Sequence, residues 1–157
     1  MKKLLLSALL LIGLCNLANA QHEGFRIGLS GGIPLSDASD FSSFNVSLDA
    51  SYLYGFSDNF AAGIATGYST FLAKDEFDDY SFIPVALSLR AGFGSNIFYT
   101  ADIGYAVATT KDADGGLYLL PKAGWTNGQW DAFVFYKNID AKEVTVASIG
   151  LGIAYKF

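Results

Sequence analysis

The stretch VTVASIGLGIAYKF, residues 144–157, decides how this chain reads. Phe157, Tyr155, Ile153, Leu151 and Ile149 fall on one face of an extended segment, and Lys156, Ala154, Gly152, Gly150 and Ser148 on the other. A repeat of two residues is the strand period. One face is large, apolar and uncharged; the other is small and carries one cation. That division suits a wall with lipid outside and a narrow polar interior.

The other end of the chain agrees. Lys2 and Lys3 precede an apolar run, Leu4 to Leu14, and Ala18-Asn19-Ala20 forms a small-x-small cleavage pattern. Charged, apolar and cleavage regions in that order predict a secretory signal peptide over residues 1–20, with Gln21 as the mature N-terminus. The run is shorter than the ~20 residues a membrane helix needs. Leu14 stands before Cys15 where a lipidation signal wants a small residue, which argues against a lipid anchor there. Cleavage after Ala20 also removes the chain's one cysteine, so disulfides are not expected to stabilise the exported product.

Residues 21–157 are one domain's worth of chain. Without Lys2 and Lys3 it carries eight cations against fifteen acids, a net charge of −7. Such acidity argues against nucleic acid as a partner, which needs a basic footprint. No later segment is apolar over the length of a membrane helix. A membrane reading therefore requires a barrel, because only helices and closed barrels satisfy every backbone group in lipid.

Alternation predicts eight strands, at 25–35, 44–54, 60–72, 81–91, 97–109, 117–125, 130–137 and 144–157. Most reach the ~9–11 residues of a tilted spanning strand. Their connections alternate in character. Residues 55–59, 92–96 and 126–129 are short and rich in Gly, Asn or Ser, the residues of tight turns. Residues 36–43, 73–80, 110–116 and 138–143 are longer or more charged. Short periplasmic turns and larger outer loops are the expectation for an outer-membrane barrel. Pro121 in the sixth strand cannot donate to a ladder and predicts a bulge or register change. The seventh strand carries aromatics on both faces, Trp130 and Tyr136 against Phe133 and Phe135, so alternation leaves its orientation open.

Alternation alone fits a soluble barrel as well. The polar face decides between them: it holds Gly, Ala and Ser with isolated charges, whereas a soluble exterior is dense in Lys and Glu. Small residues fit inside eight strands, whose interior is only wide enough for side chains. The apolar face then points to lipid. Aromatics near the strand ends predict two interfacial girdles. Tyr54, Phe56, Phe60, Phe93, Tyr99, Trp125, Trp130, Tyr155 and Phe157 are assigned to the periplasmic one; Phe41, Phe44, Phe71, Phe77, Tyr80, Tyr118 and Tyr136 to the outer one.

With the signal end at Ala18-Asn19-Ala20, the eight-strand meander and the Ile149/Leu151/Ile153/Tyr155/Phe157 pattern in place, the chain resembles the small outer-membrane β-barrel superfamily. That group includes the OmpA-type membrane domain, OmpX-like proteins and the "porin family" proteins of Bacteroidota. The resemblance implies an all-β, eight-stranded antiparallel up-and-down transmembrane β-barrel in the bacterial outer membrane. It also implies that Ile149, Leu151, Ile153, Tyr155 and Phe157 form the signal read by the barrel-assembly machinery. Outer-membrane lipid and lipopolysaccharide are the other expected partners, and a monomer the expected state. The periplasmic anchoring of full-length OmpA-type proteins is not implied.

Arg26, Asp49, Arg90, Asp102, Lys122, Asp131 and Lys156 fall on the inward face. Isolated buried ions are very costly, so these are expected to pair into a polar network that fills the barrel. Read functionally, the same charges line a water path, yet open aqueous channels belong to barrels of ~16–18 strands. Asp75, Glu76, Asp78 and Asp79 crowd one outer loop. They could hold a divalent cation, but without an EF-hand arrangement a solvated acidic tip is the preferred reading. Catalysis on lipid by barrels of this size calls for a histidine base; His22 precedes the first strand at the predicted periplasmic edge, far from outer-leaflet lipid. The expected function is non-enzymatic: a filled barrel with a structural or surface-interaction role in the envelope, needing no catalytic residue, metal or cofactor. The alternative is a narrow channel for small or apolar solutes.

Overall fold

The computed structural model describes residues 23–74, 79–110, 113–142 and 144–157. The predicted signal peptide, Cys15 and His22 lie outside these residues, as do Asp75, Glu76, Phe77 and Asp78. Eight strands, β1 (Gly24–Leu35), β2 (Ser42–Gly55), β3 (Phe60–Ala73), β4 (Tyr80–Phe93), β5 (Ile97–Ala108), β6 (Gly116–Thr126), β7 (Trp130–Ala141) and β8 (Thr145–Lys156), follow one another around a closed antiparallel barrel. A short helix, α1 (Ala38–Phe41), interrupts the β1–β2 connection. The largest departure from the expected spans is β7, which continues to Ala141.

Closure is made by β8 pairing with β1, from Arg26↔Lys156 to Leu35↔Ala147. No strand is left as an edge, so every ladder group has a neighbour. The turns at one end are built by their own side chains. Between β6 and β7, Asn127 Oδ1 accepts from the amides of Gln129 at 3.0 Å and Trp130 at 2.7 Å. Gly128 supplies the positive φ, 92°, that this tight turn requires. The short turns and both barrel termini share this end, called the turn end below; α1 and the longer loops mark the loop end.

Polarity is inverted relative to a water-soluble protein. Leu87 and Leu151 are each 67 % exposed, whereas Lys137 is wholly buried. Exposed Ile, Leu, Val and aromatic side chains occupy the outer face of all eight strands. A continuous apolar surface of this extent has no place in water and matches a lipid-facing wall. At the turn end, aromatics pair edge to face: Tyr54 with Phe56, Phe93 with Tyr99, and Trp130 with Tyr155. Gln129 Nε2 adds a 2.9 Å bond to the Tyr155 hydroxyl.

Two expectations need correction. Pro121 causes neither bulge nor register change: β6 keeps one register with β5 and β7, and β6–β7 pairing merely lapses between Leu119↔Asn138 and Lys122↔Phe135. The ladder loses the bond that Pro121 cannot donate without slipping. The register shift falls instead in β2, between Ser42 and Phe44. Phe71 and Tyr118 do not join an outer girdle either; both are buried inside the barrel. Phe71 shares its face with Ser69 and Tyr118 with Leu120, so strand period outweighs position along the axis.

Candidate functional site

The chemistry-bearing side chains lie in the barrel interior, in three polar clusters stacked from the turn end toward the loop end. The first joins three strands. Asp131 on β7 receives both terminal nitrogens of Arg90 on β4, at 2.7 and 3.1 Å, while Arg26 Nε on β1 lies 3.3 Å from Asp131 Oδ2. The planar guanidinium fork of Arg90 matches the carboxylate and fixes both side chains. Arg90 also sits over the Phe98 ring, 3.7 Å from its centroid.

In the second cluster Lys122 Nζ meets Asp102 Oδ2 at 2.9 Å, and Ser88 donates to the other oxygen of Asp102. Phe133 lies beside Lys122. Lys122 on β6 stands opposite Thr100 of β5, two residues from Asp102 on the same inward face, so this pair bridges neighbouring strands directly. Replacing Asp102 by Asn removes the charge that Lys122 faces. Because Lys122 keeps some solvent contact, the expected loss is about 1.5–3 kcal/mol, read as a lower urea midpoint for unfolding from lipid bilayers.

The third cluster surrounds Lys137, and sequence reasoning missed it. Lys137 Nζ donates to Asn45 Oδ1 at 3.3 Å, to Ser69 Oγ at 2.9 Å and to Ser47 Oγ. Asn45 is fully used: its Oδ1 also accepts from Ser148 at 3.1 Å, and its Nδ2 donates to Ser69 Oγ and the Thr70 carbonyl. Lys137 joins none of the ion pairs among the described residues. The signal that could have found it is parity, since Lys137 lies six residues beyond the inward Asp131 on one strand.

Of the seven residues expected inside, Arg26, Arg90 and Asp131 come together, as do Lys122 and Asp102. Lys156 stands opposite Arg26 in the β1–β8 register, half-buried at the turn-end rim. Asp49 departs from the expected pairing: it accepts a 3.4 Å bond from Ser30 and joins none of the ion pairs among the described residues. A cavity of about 30 Å³ remains between the first two clusters, lined by Arg26, Asp49, Ser88, Arg90, Lys122 and Asp131 among others. That is space on the scale of a single water molecule.

The seam is thinly furnished. Inside it, β1 presents Gly28, Ser30 and Gly32 opposite Ala154, Gly152 and Gly150 of β8. Phe133 and Phe135, carried by β7, reach into the room these small residues leave: a Cβ on Gly152 would collide with the Phe133 ring, and one on Gly32 would lie 2.9 Å from Phe135 Cζ. Beyond the Lys137 cluster, toward the loop end, an apolar layer of Ala38, Phe71, Phe82, Tyr118, Ile139 and Val146 closes the interior.

The remaining expected sites lie on the outside or in loops. Ile149, Leu151, Ile153 and Phe157 are exposed along β8, with Tyr155 half-buried among its aromatic neighbours. Of the acidic loop only Asp79 is described; its Oδ1 accepts from the Ala73 amide at 2.8 Å, a local turn contact.

A closed eight-strand meander with an apolar wall and a side-chain-filled interior is a recognisable architecture. The fold is that of the small outer-membrane β-barrels. Ail, the attachment invasion locus protein of Yersinia pestis, solved with the heparin analogue sucrose octasulfate, superposes with a TM-score of 0.58 at 13 % identity, covering 85 % of this chain and 96 % of Ail. The N-terminal β-barrel domain of Pseudomonas aeruginosa OprF gives 0.51 at 14 % identity, over 87 % and 99 % of the two chains. A structure from the de novo design of transmembrane β-barrels gives 0.54 at 13 % identity, over 89 % and 98 %. No family model and no curated protein matches the sequence.

Proposed function

We propose that this chain is a non-enzymatic integral protein of the bacterial outer membrane, exported by residues 1–20 and seated with its turn end in the periplasm and its loops outside. Its role is structural or surface-interactive, and its interior is a plug rather than a path. The observation that carries this reading is the filled interior: among the described residues polar clusters and an apolar layer occupy the lumen, and the cavity between the first two clusters is about 30 Å³. Arg26 and Arg90 share Asp131, Lys122 meets Asp102, and Lys137 and Asp49 bond neutral side chains, which supports a holding role over a chemical one.

The loops carry the chain's charge. By sequence they hold ten acids, namely Asp37, Asp40, Asp75, Glu76, Asp78, Asp79, Asp112, Asp114, Asp140 and Glu143, against Lys74, Lys111 and Lys142. The polysulfated ligand solved with Ail would be repelled by such a surface. A cationic partner, or lipopolysaccharide approached through divalent cations, fits it better. Biogenesis follows the terminal strand, with the Ile149-to-Phe157 face presented to the barrel-assembly machinery, and the product is a monomer.

Planar-bilayer recording tests the plug. The wild-type barrel should show no stable unitary currents; stable currents would overturn this reading in favour of a narrow channel. Recovery with outer membranes, together with different gel mobility for unheated and boiled samples, is the result expected for the location. A soluble fraction would reject it.

A further inference from the structure

We infer that the cavity between the first two clusters is a built water site, in which one ordered water molecule joins Thr100 to Asp49. The room comes from the small residues of the seam. Gly28 of β1 stands opposite Asp49 of β2 on one side and Ala154 of β8 on the other, so neither neighbour projects far in front of the carboxylate. Gly28, Asp49, Thr100 and Ala154 all line the cavity.

Thr100 supplies the observation that points to an occupant. On β5 it lies in register between Arg90 of β4 and Lys122 of β6, facing inward. Both cationic heads are committed elsewhere, Arg90 to Asp131 and Lys122 to Asp102. Thr100 is only 8 % exposed, and its hydroxyl has no hydrogen-bond partner among the described residues. A buried hydroxyl is costly unless it is bonded. The Asp49 carboxylate is underused as well. Among the described residues it accepts the 3.4 Å bond from Ser30 and no other, although a carboxylate has about four acceptor sites.

The occupant follows from charge and size. Around the cavity Arg26, Arg90 and Lys122 are balanced by Asp49, Asp102 and Asp131, so the site draws neither a free anion nor a free cation. What Thr100 and Asp49 lack is a small neutral molecule that both accepts and donates, and about 30 Å³ is the share of one water in the liquid. The Thr100 hydroxyl donates to the water oxygen, and the water donates to Asp49. That bond, with the attraction of Lys122 and Lys137, lets Asp49 stay ionised without a direct ion pair. The plug is therefore wet at this level, which goes beyond its reading as a holding device.

Crystals of the purified barrel, grown with bromide as the halide, test the occupant. The expected result is a single density peak without anomalous signal, within hydrogen-bond distance of Thr100 Oγ1 and a carboxylate oxygen of Asp49. An empty cavity, or a bromide ion in it, would overturn the site. Thr100→Val keeps the side-chain shape and removes the hydroxyl, so the peak should be lost; Thr100→Ser keeps the hydroxyl and should keep the peak. A peak that stays in place in Thr100→Val would overturn the bridge. Urea titration in bilayers tells a bonded hydroxyl from an orphan. In a wet cavity Thr100→Val breaks a bond and lowers the unfolding midpoint, while Thr100→Ser restores most of the loss. In a dry one Thr100→Val only removes an unsatisfied hydroxyl, and a midpoint unchanged or raised would overturn the inference. Unheated gel mobility confirms that each variant is folded. Stable unitary currents from the wild type would overturn the plug and leave the density peak to decide this site by itself.

Discussion

Asp131→Asn should lower the stability of the barrel by about 3–5 kcal/mol, the cost of removing one partner from a buried ionic cluster. Asp131 is nearly enclosed and serves two guanidiniums, one through a bidentate contact. Asparagine keeps the shape and removes the charge, so Arg26 and Arg90 lose the carboxylate they share while the wall is unchanged. Arg90 retains its place over Phe98, which offsets part of the loss. Adding Arg90→Met should recover some of the stability, because one fewer cation then lacks the carboxylate and an apolar side chain packs well on the Phe98 ring. Urea titration in bilayers, followed by tryptophan emission, reads the effect. An unchanged midpoint for Asp131→Asn would mean that the cluster does not hold the barrel together.

Gly63→Ala should be nearly as severe despite adding one carbon. Gly63 on β3 faces inward opposite Leu53 of β2. A Cβ built there overlaps the Tyr52 carbonyl oxygen and comes within 2.8 Å of its carbon and 2.9 Å of the Leu53 Cα. Every obstacle is backbone, so no rotamer change relieves it and the β2–β3 ladder must part locally. Overpacking of this kind costs about 1–3 kcal/mol where side chains can adjust, and more where they cannot. Loss of the folded band in unheated gels is the expected result. Gly31→Ala is the contrast: its nearest obstacle is the far end of the Phe44 ring, at 3.0 Å, which can turn aside.

Period-two alternation makes the eight strands legible because the two faces meet such different surroundings. Gly, Asn and Ser runs likewise reveal the turns. The interior is less legible for a specific reason. Aromatic residues serve both the lipid boundary and the filling of the lumen, so an aromatic carries no facing information alone. Position along the strand places Phe71 and Tyr118 in a girdle where parity places them inside, and Phe133 and Phe135 mask the orientation of β7. Once Asp131 is inside, parity brings Phe133, Phe135 and Lys137 in with it. The lack of an ion-pair partner for Lys137 and Asp49 is beyond any pattern rule, since it depends on which strands face one another across the axis.

The small residues along the seam bear on the order of construction. A strand bearing large inward side chains would have to thread them past a finished lumen, a step prone to trapping. β8 brings mostly Gly, Ala and Ser to β1, while the rings that fill the space arrive earlier on β7. Joining β8 to β1 therefore asks for backbone bonds and for glycines that slide under the Phe133 and Phe135 rings, with little to thread. Parting the cylinder at this seam would likewise move few large side chains of its own two strands.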